Sequence, residues 1–195
     1  MGFRSRALLL MMCAAFAAYG AALLEHIPLK WKPTSDLSLG TVQMTPATIQ
    51  FESFKDAREK PELIGENRED DDKPKPVTTS DDVGAFMSTH MRELFKQAGL
   101  NTVDSNGSVI VRGEVTKFFV RETGTYQGEV AVHLSVVSPD GATLWSGTAT
   151  GEAKRFGRSY KAENYYEVLS DATVNTVSSM LRSTEFQRAL AGRSR

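Results

Sequence analysis

Cysteine is almost missing from this 195-residue chain: Cys13 is the only one. A single cysteine excludes an intramolecular disulfide and a cysteine zinc cluster. Histidine is scarce as well. His26, His90 and His133 stand far apart, with no HExxH-type spacing. No serine sits in a GxSxG turn, and no glycine-rich phosphate loop occurs. An excess of one charge is also absent, since 23 Lys and Arg face 24 Asp and Glu for a net charge of −1. That removes any overall electrostatic reason to bind nucleic acid. The expectation is a non-enzymatic protein with no cofactor, no metal and no nucleic-acid partner.

Charge is wholly lacking over one stretch. "MGFRSR" carries two arginines and no acid, and Ala7 to Leu24 then runs without a charged residue. A basic start before an apolar run is the pattern of a secretory signal. The 18 residues are also just long enough for a spanning helix, with the basic side kept in the cytoplasm. Ala18-Tyr19-Gly20 and Gly20-Ala21-Ala22 offer the small residues that a cleavage site needs. Lipid attachment at Cys13 is a third route. It is disfavoured because Met12 stands where a small residue belongs, so Cys13 is expected to be removed or unmodified. Each route puts the remainder outside the cytoplasm, in a periplasmic setting, free or anchored to a membrane by the N-terminus. The organisation follows: 1–24 leader or anchor, 25–40 a proline-punctuated tether, 41–191 one domain, and 192–195 a tail.

The domain has an ordinary balance, 41% hydrophobic and 24% charged over the whole chain. At roughly 150 residues it buries about 68–70% of its unfolded surface, enough for its own core. Ala47, Ile49 and Phe51 alternate with polar neighbours, which reads as a strand. Residues 55–79 read as an irregular, solvated loop. Val83, Phe86, Met87, Met91, Leu94, Phe95 and Ala98 then form one helical stripe. Ser80 is the expected N-cap, and Gly99 the expected left-handed stop with Leu100 folding back. Strands follow at 108–120, 128–137 and 143–153, the last two joined by the turn "SPDG". Gly147, Ala149 and Gly151 leave room beside Trp145 for close packing. A second helix is expected at about 162–182, and a short one near 184–191 that pairs Phe186 with Leu190.

The expected fold is therefore α/β of the α+β kind, in the order β-α-β-β-β-α. It has a mixed four-stranded sheet with two helices on one face. A right-handed crossover through the first helix makes the first strand parallel to the second.

Two stretches draw attention. "FKDAREKPELIGENRED" (54–70) holds an apolar island, Leu63-Ile64-Gly65, inside a charged run. Its Asp56 and Arg58 lie two apart at a strand end and can pair. Ile64 can plug an apolar gap and Gly65 can free the backbone to turn. The structural reading, a loop pinned to the domain, is preferred over a partner-docking loop. Together with "KQAGL" and the segment 160–190, this stretch resembles the YajG-type family of bacterial envelope lipoproteins. The likeness is most specific at Asp56, Arg58, Ile64 and Gly65. It implies a periplasmic domain, commonly lipid-tethered, with no reaction attached. The element order is also similar to auxiliary lipoproteins of ABC-type transporters, an analogy of fold alone.

The second stretch is "KRFGRSYK" (154–161), where Lys154, Arg155, Arg158 and Lys161 interleave with Phe156 and Tyr160. It suits an anionic glycan, a lipid headgroup or an envelope protein. It equally suits side chains lying over a sheet edge. The acids Glu69 to Asp72 are consecutive, without the alternation or glycine of a calcium loop, and read as a solvated face. The functional expectation is an envelope protein with a binding or accessory role. The alternative is a structural accessory subunit of an envelope complex such as an ABC-type transporter.

Overall fold

A computed structural model describes residues 23–34, 39, 42, 45–70, 72–157 and 159–192. In chain order its elements begin with β1 (Ile49–Phe51), β2 (Lys55–Asp56), β3 (Leu63–Asn67), β4 (Lys75–Thr78) and helix α1 (Val83–Gln97). They continue with β5 (Thr102–Val103), β6 (Val109–Glu122), β7 (Thr125–Val137), β8 (Thr143–Phe156), α2 (Ala162–Leu181) and α3 (Thr184–Leu190).

β6 is the spine of a mixed sheet of eight strands. On one side it pairs antiparallel with β7, and β7 with β8. Its other side is shared along its length by β1, β2 and β3, all parallel to it. β4 closes that side antiparallel to β3, and β5 runs parallel to β1. The parallel start and the antiparallel meander agree with the expected topology. The sheet size does not: it has eight strands instead of four, with three helices. The additional strands are short. β2, β3 and β4 occupy the stretch read as irregular loop, and each is two to five residues long. Such pieces have too few residues to show a period. Pro76 is compatible with β4 because that strand lies at the sheet edge.

β6 keeps its inward face by means of a bulge. Val109, Val111 and Val115 point to the core at odd positions, and Phe118, Val120 and Glu122 at even ones. The register with β7 shifts between Val115 and Lys117, so Thr116 is the extra residue. Without it, Phe118 and Val120 would turn to solvent.

α1 begins slightly later than expected. Asp82, not Ser80, caps it by accepting the Ala85 N–H at 3.0 Å. The Ser80 hydroxyl instead meets His26 Nδ1 at 2.9 Å. The stop is as expected. Gly99 has φ +85°, its N–H reaches Lys96 O at 3.0 Å, and the Leu100 N–H reaches Phe95 O at 3.1 Å. Leu100 is buried there, completing a Schellman closure. The space at Gly147 is covered by the Trp145 ring itself, and α2 packs farther along, at Gly151. A Cβ on Gly151 would lie 2.2 Å from Ala172 O and 2.3 Å from Thr176 N, so only glycine lets the helix backbone sit on β8. Phe186 of α3 packs edge-on against Phe95 and Trp145 at 6.0 and 4.9 Å.

Residues 25–34, part of the stretch read from sequence as tether, lie across the domain as a strap together with Leu23 and Leu24, read as the end of the leader. Leu24 bridges Val77 in parallel, and the Ile27 N–H bonds Thr78 O at 2.9 Å. Farther along, the Leu29 N–H donates to Asp81 at 2.7 Å and the Lys32 N–H to Ser170 Oγ at 2.9 Å. Thr34 is held by Asp171 through its N–H at 2.8 Å. Trp31 stacks on His90 of α1 with 4.3 Å between ring centres. The strap thus ties β4 to both α1 and α2.

Candidate functional site

The Asp56, Arg58, Ile64 and Gly65 set comes together as one internal module. Asp56 ends β2, Ile64 and Gly65 begin β3, and Arg58 fastens the connection between them. Its side chain is only 6% exposed. The guanidinium grips Asp56 with two bonds, Nε to Oδ1 at 2.9 Å and Nη2 to Oδ2 at 2.7 Å. Nη1 donates to Leu63 O at 2.9 Å and Phe118 O at 3.3 Å, and Nη2 also donates to Pro61 O. Every N–H of the fork therefore has a partner, which a lysine could not reproduce. Ile64 is fully buried. A Cβ on Gly65 would meet Tyr165 Cε1 and Val120 O, each at 2.7 Å. The glycine opens the space that Tyr165 fills.

Tyr165 leads to a group absent from the sequence expectations. Glu122 is an acid with no solvent exposure, at the inward end of β6. Its Oε2 accepts the Tyr165 hydroxyl at 2.9 Å and its Oε1 accepts the Tyr160 N–H at 3.0 Å. Burial, and then the neighbouring carboxylate, push the Tyr165 phenol well above its ordinary value. Tyr160 has φ +41°, a conformation that a non-glycine residue adopts only when held. Its hydroxyl donates to Pro76 O at 3.1 Å and accepts the Leu24 N–H at 3.2 Å. One chain of bonds thus runs from β6 through α2 and the segment before it to β4 and the strap. The bulge parity is the available signal, since Glu122 continues the inward series of Phe118 and Val120.

The basic stretch 154–161 divides. Lys154, Arg155 and Phe156 are the end of β8, not loop as expected, because the β6–β7 hairpin turns tightly at Gly124 and the ladder extends with it. Arg155 pairs with Glu167 of α2. Tyr160 is occupied in the Glu122 chain, and Arg158 lies outside the described residues, as does Cys13. Lys154, Phe156 and Lys161 remain exposed.

The histidines occupy separate places. His90 is half-buried between Trp31 and Phe86, and burial holds its pKa below the ordinary value, with Glu93 opposing. His133 is exposed on the outer sheet face, 3.2 Å from Ser146 Oγ and 3.3 Å from Thr148 Oγ1. Ser146 and His133 form a pair there, but on an open face where no wall excludes water. A depression of about 400 Å³ on that face is lined by Lys117, Arg121, Glu129, Glu152 and Lys154 around Phe119. Among the described residues no cluster of three His, Cys, Asp or Glu could hold a metal ion. Likewise among them, no helix is long and apolar enough to cross a membrane.

No family model and no curated protein matches the sequence. Solved structures do resemble it. Protein XCC0632 from Xanthomonas campestris, of the DUF330 family, superposes with a TM-score of 0.52 at 9% identity, over 79% of this chain and 90% of that one. An uncharacterized protein gives 0.49 at 10% identity, over 73% and 95% of the two chains. Lipoprotein GNA1162 from Neisseria meningitidis gives 0.36 at 12% identity, over 62% and 90%. The first likeness shows a shared fold; the other two are too slight to bear an argument.

Two outcomes are expected. Arg58→Ala leaves Asp56 and the carbonyls of Leu63, Phe118 and Pro61 without this partner and destabilises the domain by about 3 kcal/mol. Arg58→Lys recovers little of it, measured as urea midpoints. Tyr165 sets an alkaline limit. Its folded pKa lies above the ordinary 10.0, so its contribution is intact below about pH 10 and is lost as the pH rises beyond it. The slope is about 1.4 kcal/mol per pH unit for one proton. Tyr165→Phe should flatten that slope in denaturation series above pH 10.

Proposed function

We propose that the chain is a non-enzymatic cell-envelope protein, held at a membrane by its N-terminus, with a binding or accessory role. The observation that carries this reading is the continuity between leader and domain. The uncharged run Ala7 to Leu24 passes directly into a strap bonded to β4, α1 and α2, so the domain is built onto the segment that an export or anchor sequence delivers. The YajG-type resemblance at Asp56, Arg58, Ile64 and Gly65 supports a periplasmic address. The internal use of those four residues supports a scaffold role over a catalytic one. The partners in this reading are an envelope protein or an anionic glycan or lipid.

The second reading is a subunit of a larger envelope complex, as transporter auxiliary proteins are. It is favoured by β8, a 14-residue strand that among the described residues pairs with β7 alone. Such an edge is a template for strand addition. Two of its carbonyls are already covered, Glu152 O by Asn175 at 2.8 Å and Thr150 O by Ser179 at 3.2 Å.

The envelope address is tested by fusing alkaline phosphatase after Arg195 and expressing the full chain in a bacterium. Active phosphatase in the membrane fraction is expected, with an intact mass that carries no acyl group on Cys13; active phosphatase free in the periplasm would keep the envelope address and overturn the membrane tether. Inactive phosphatase in the cytoplasm would overturn the reading.

A further inference from the structure

We propose that the end of the domain where the strap begins is a bilayer-docking surface, on which Phe156 enters the lipid interface and Lys154 and Lys161 meet anionic headgroups. This rests on the membrane-tether reading and adds to it an orientation and a lipid chemistry.

The end is defined by strand directions. β3 runs parallel to β6, β4 runs against β3, and Leu24 pairs with Val77 of β4 in parallel. The strap therefore begins beside the C-terminal end of β6. β7 starts at that same end and β8 finishes there, with Thr125 opposite Phe156. α2 starts there too. Leu23, the first described residue and itself part of the apolar run, and Phe156 thus share one end of the molecule.

These two are the only large apolar side chains exposed among the described residues, Leu23 by 56% and Phe156 by 85%. Scattered exposed apolar residues need no explanation. Two at one end, where an 18-residue uncharged run joins the domain, point to an apolar phase. Phe156 is also held firmly in place. It closes a ladder of paired strands, and four residues later Tyr160 is fixed by Glu122 and Pro76. Lys154 lies two residues before it on the same strand face, and exposed Lys161 precedes α2. Aromatic side chains at the acyl boundary with lysines at headgroup level are the pattern of a surface-bound protein.

Acids lie at this end too. Glu69, Asp70 and Asp72 occupy the β3–β4 connection. That connection sits at the β4 edge of the sheet, and Phe156 at the β8 edge. Lys73 and Lys75 are exposed beside those acids, so the β4 corner, where Leu24 enters, is not repelled as a whole, and the docking contacts specific to the β8 corner are Phe156, Lys154 and Lys161.

The test uses the full chain with Phe156→Trp, reconstituted in phosphatidylcholine vesicles containing phosphatidylglycerol, with and without bromine on the acyl chains. Tryptophan quenching by bromine several-fold above that of the unsubstituted chain is expected, since of its two tryptophans Trp145 lies at the far end of β8 and Trp31 is stacked on His90 of α1. Adding Lys154→Glu and Lys161→Glu should return it to the unsubstituted level. If the chain floats with the vesicles but the introduced tryptophan is quenched no more than the native ones, the docking surface is refuted and the tether survives. If the full chain does not float at all, the tether reading fails and this proposal with it.

Discussion

A carboxylate taken wholly out of water is the constraint around which this domain is arranged. Burying a charged or strongly polar acid is costly unless its oxygens are satisfied. Glu122 meets that requirement with one donor on each oxygen, the Tyr165 hydroxyl and the Tyr160 N–H. Each donor then imposes a further condition. Tyr165 needs the space above Gly65, which makes glycine necessary in β3. Tyr160 needs a positive φ, and it fixes Pro76 and Leu24 through its hydroxyl. A single buried group thus sets the geometry of the end at which the strap enters.

The motif in the charged stretch 54–70 works on the same side of the sheet by similar means. Asp56 and Arg58 form a bidentate pair that also satisfies the carbonyls of Leu63, Pro61 and Phe118. Ile64 supplies the apolar anchor. Gly65 beside them leaves the space that Tyr165 fills, so this motif works within the fold. Residues with a surface role are then sought elsewhere, among side chains that the fold leaves exposed.

Long elements are legible in the sequence because their periods are long enough to read. The α1 stripe from Val83 to Ala98, its Gly99 stop, and the alternation of β7 from Val130 to Val136 all stand as expected. The short strands are not legible, because two to five residues carry too few inward side chains to show a period, Ile64 and Asn67 in β3 and Val77 in β4. Charge there argues for solvent, although edge strands accept charge and proline. The strap reads as tether because its contacts, Trp31 on His90 and Thr34 on Asp171, have no local pattern. Glu122 escapes notice because an acid near a strand end is ordinarily taken as exposed. Only the bulge at Thr116, visible once the strands are paired, turns it inward. Asp56, Arg58, Ile64 and Gly65 stand close in the sequence, but the strands they belong to emerge only from the structure.

The coupling of the strap, β4 and the start of α2 through Glu122 is tested most directly by hydrogen exchange on Glu122→Ala. Protection is expected to fall together at residues 24–27, 75–78 and 160–165, while the middle of β6 and β7 remains protected. Loss confined to 160–165, with 24–27 and 75–78 as protected as before, would contradict it.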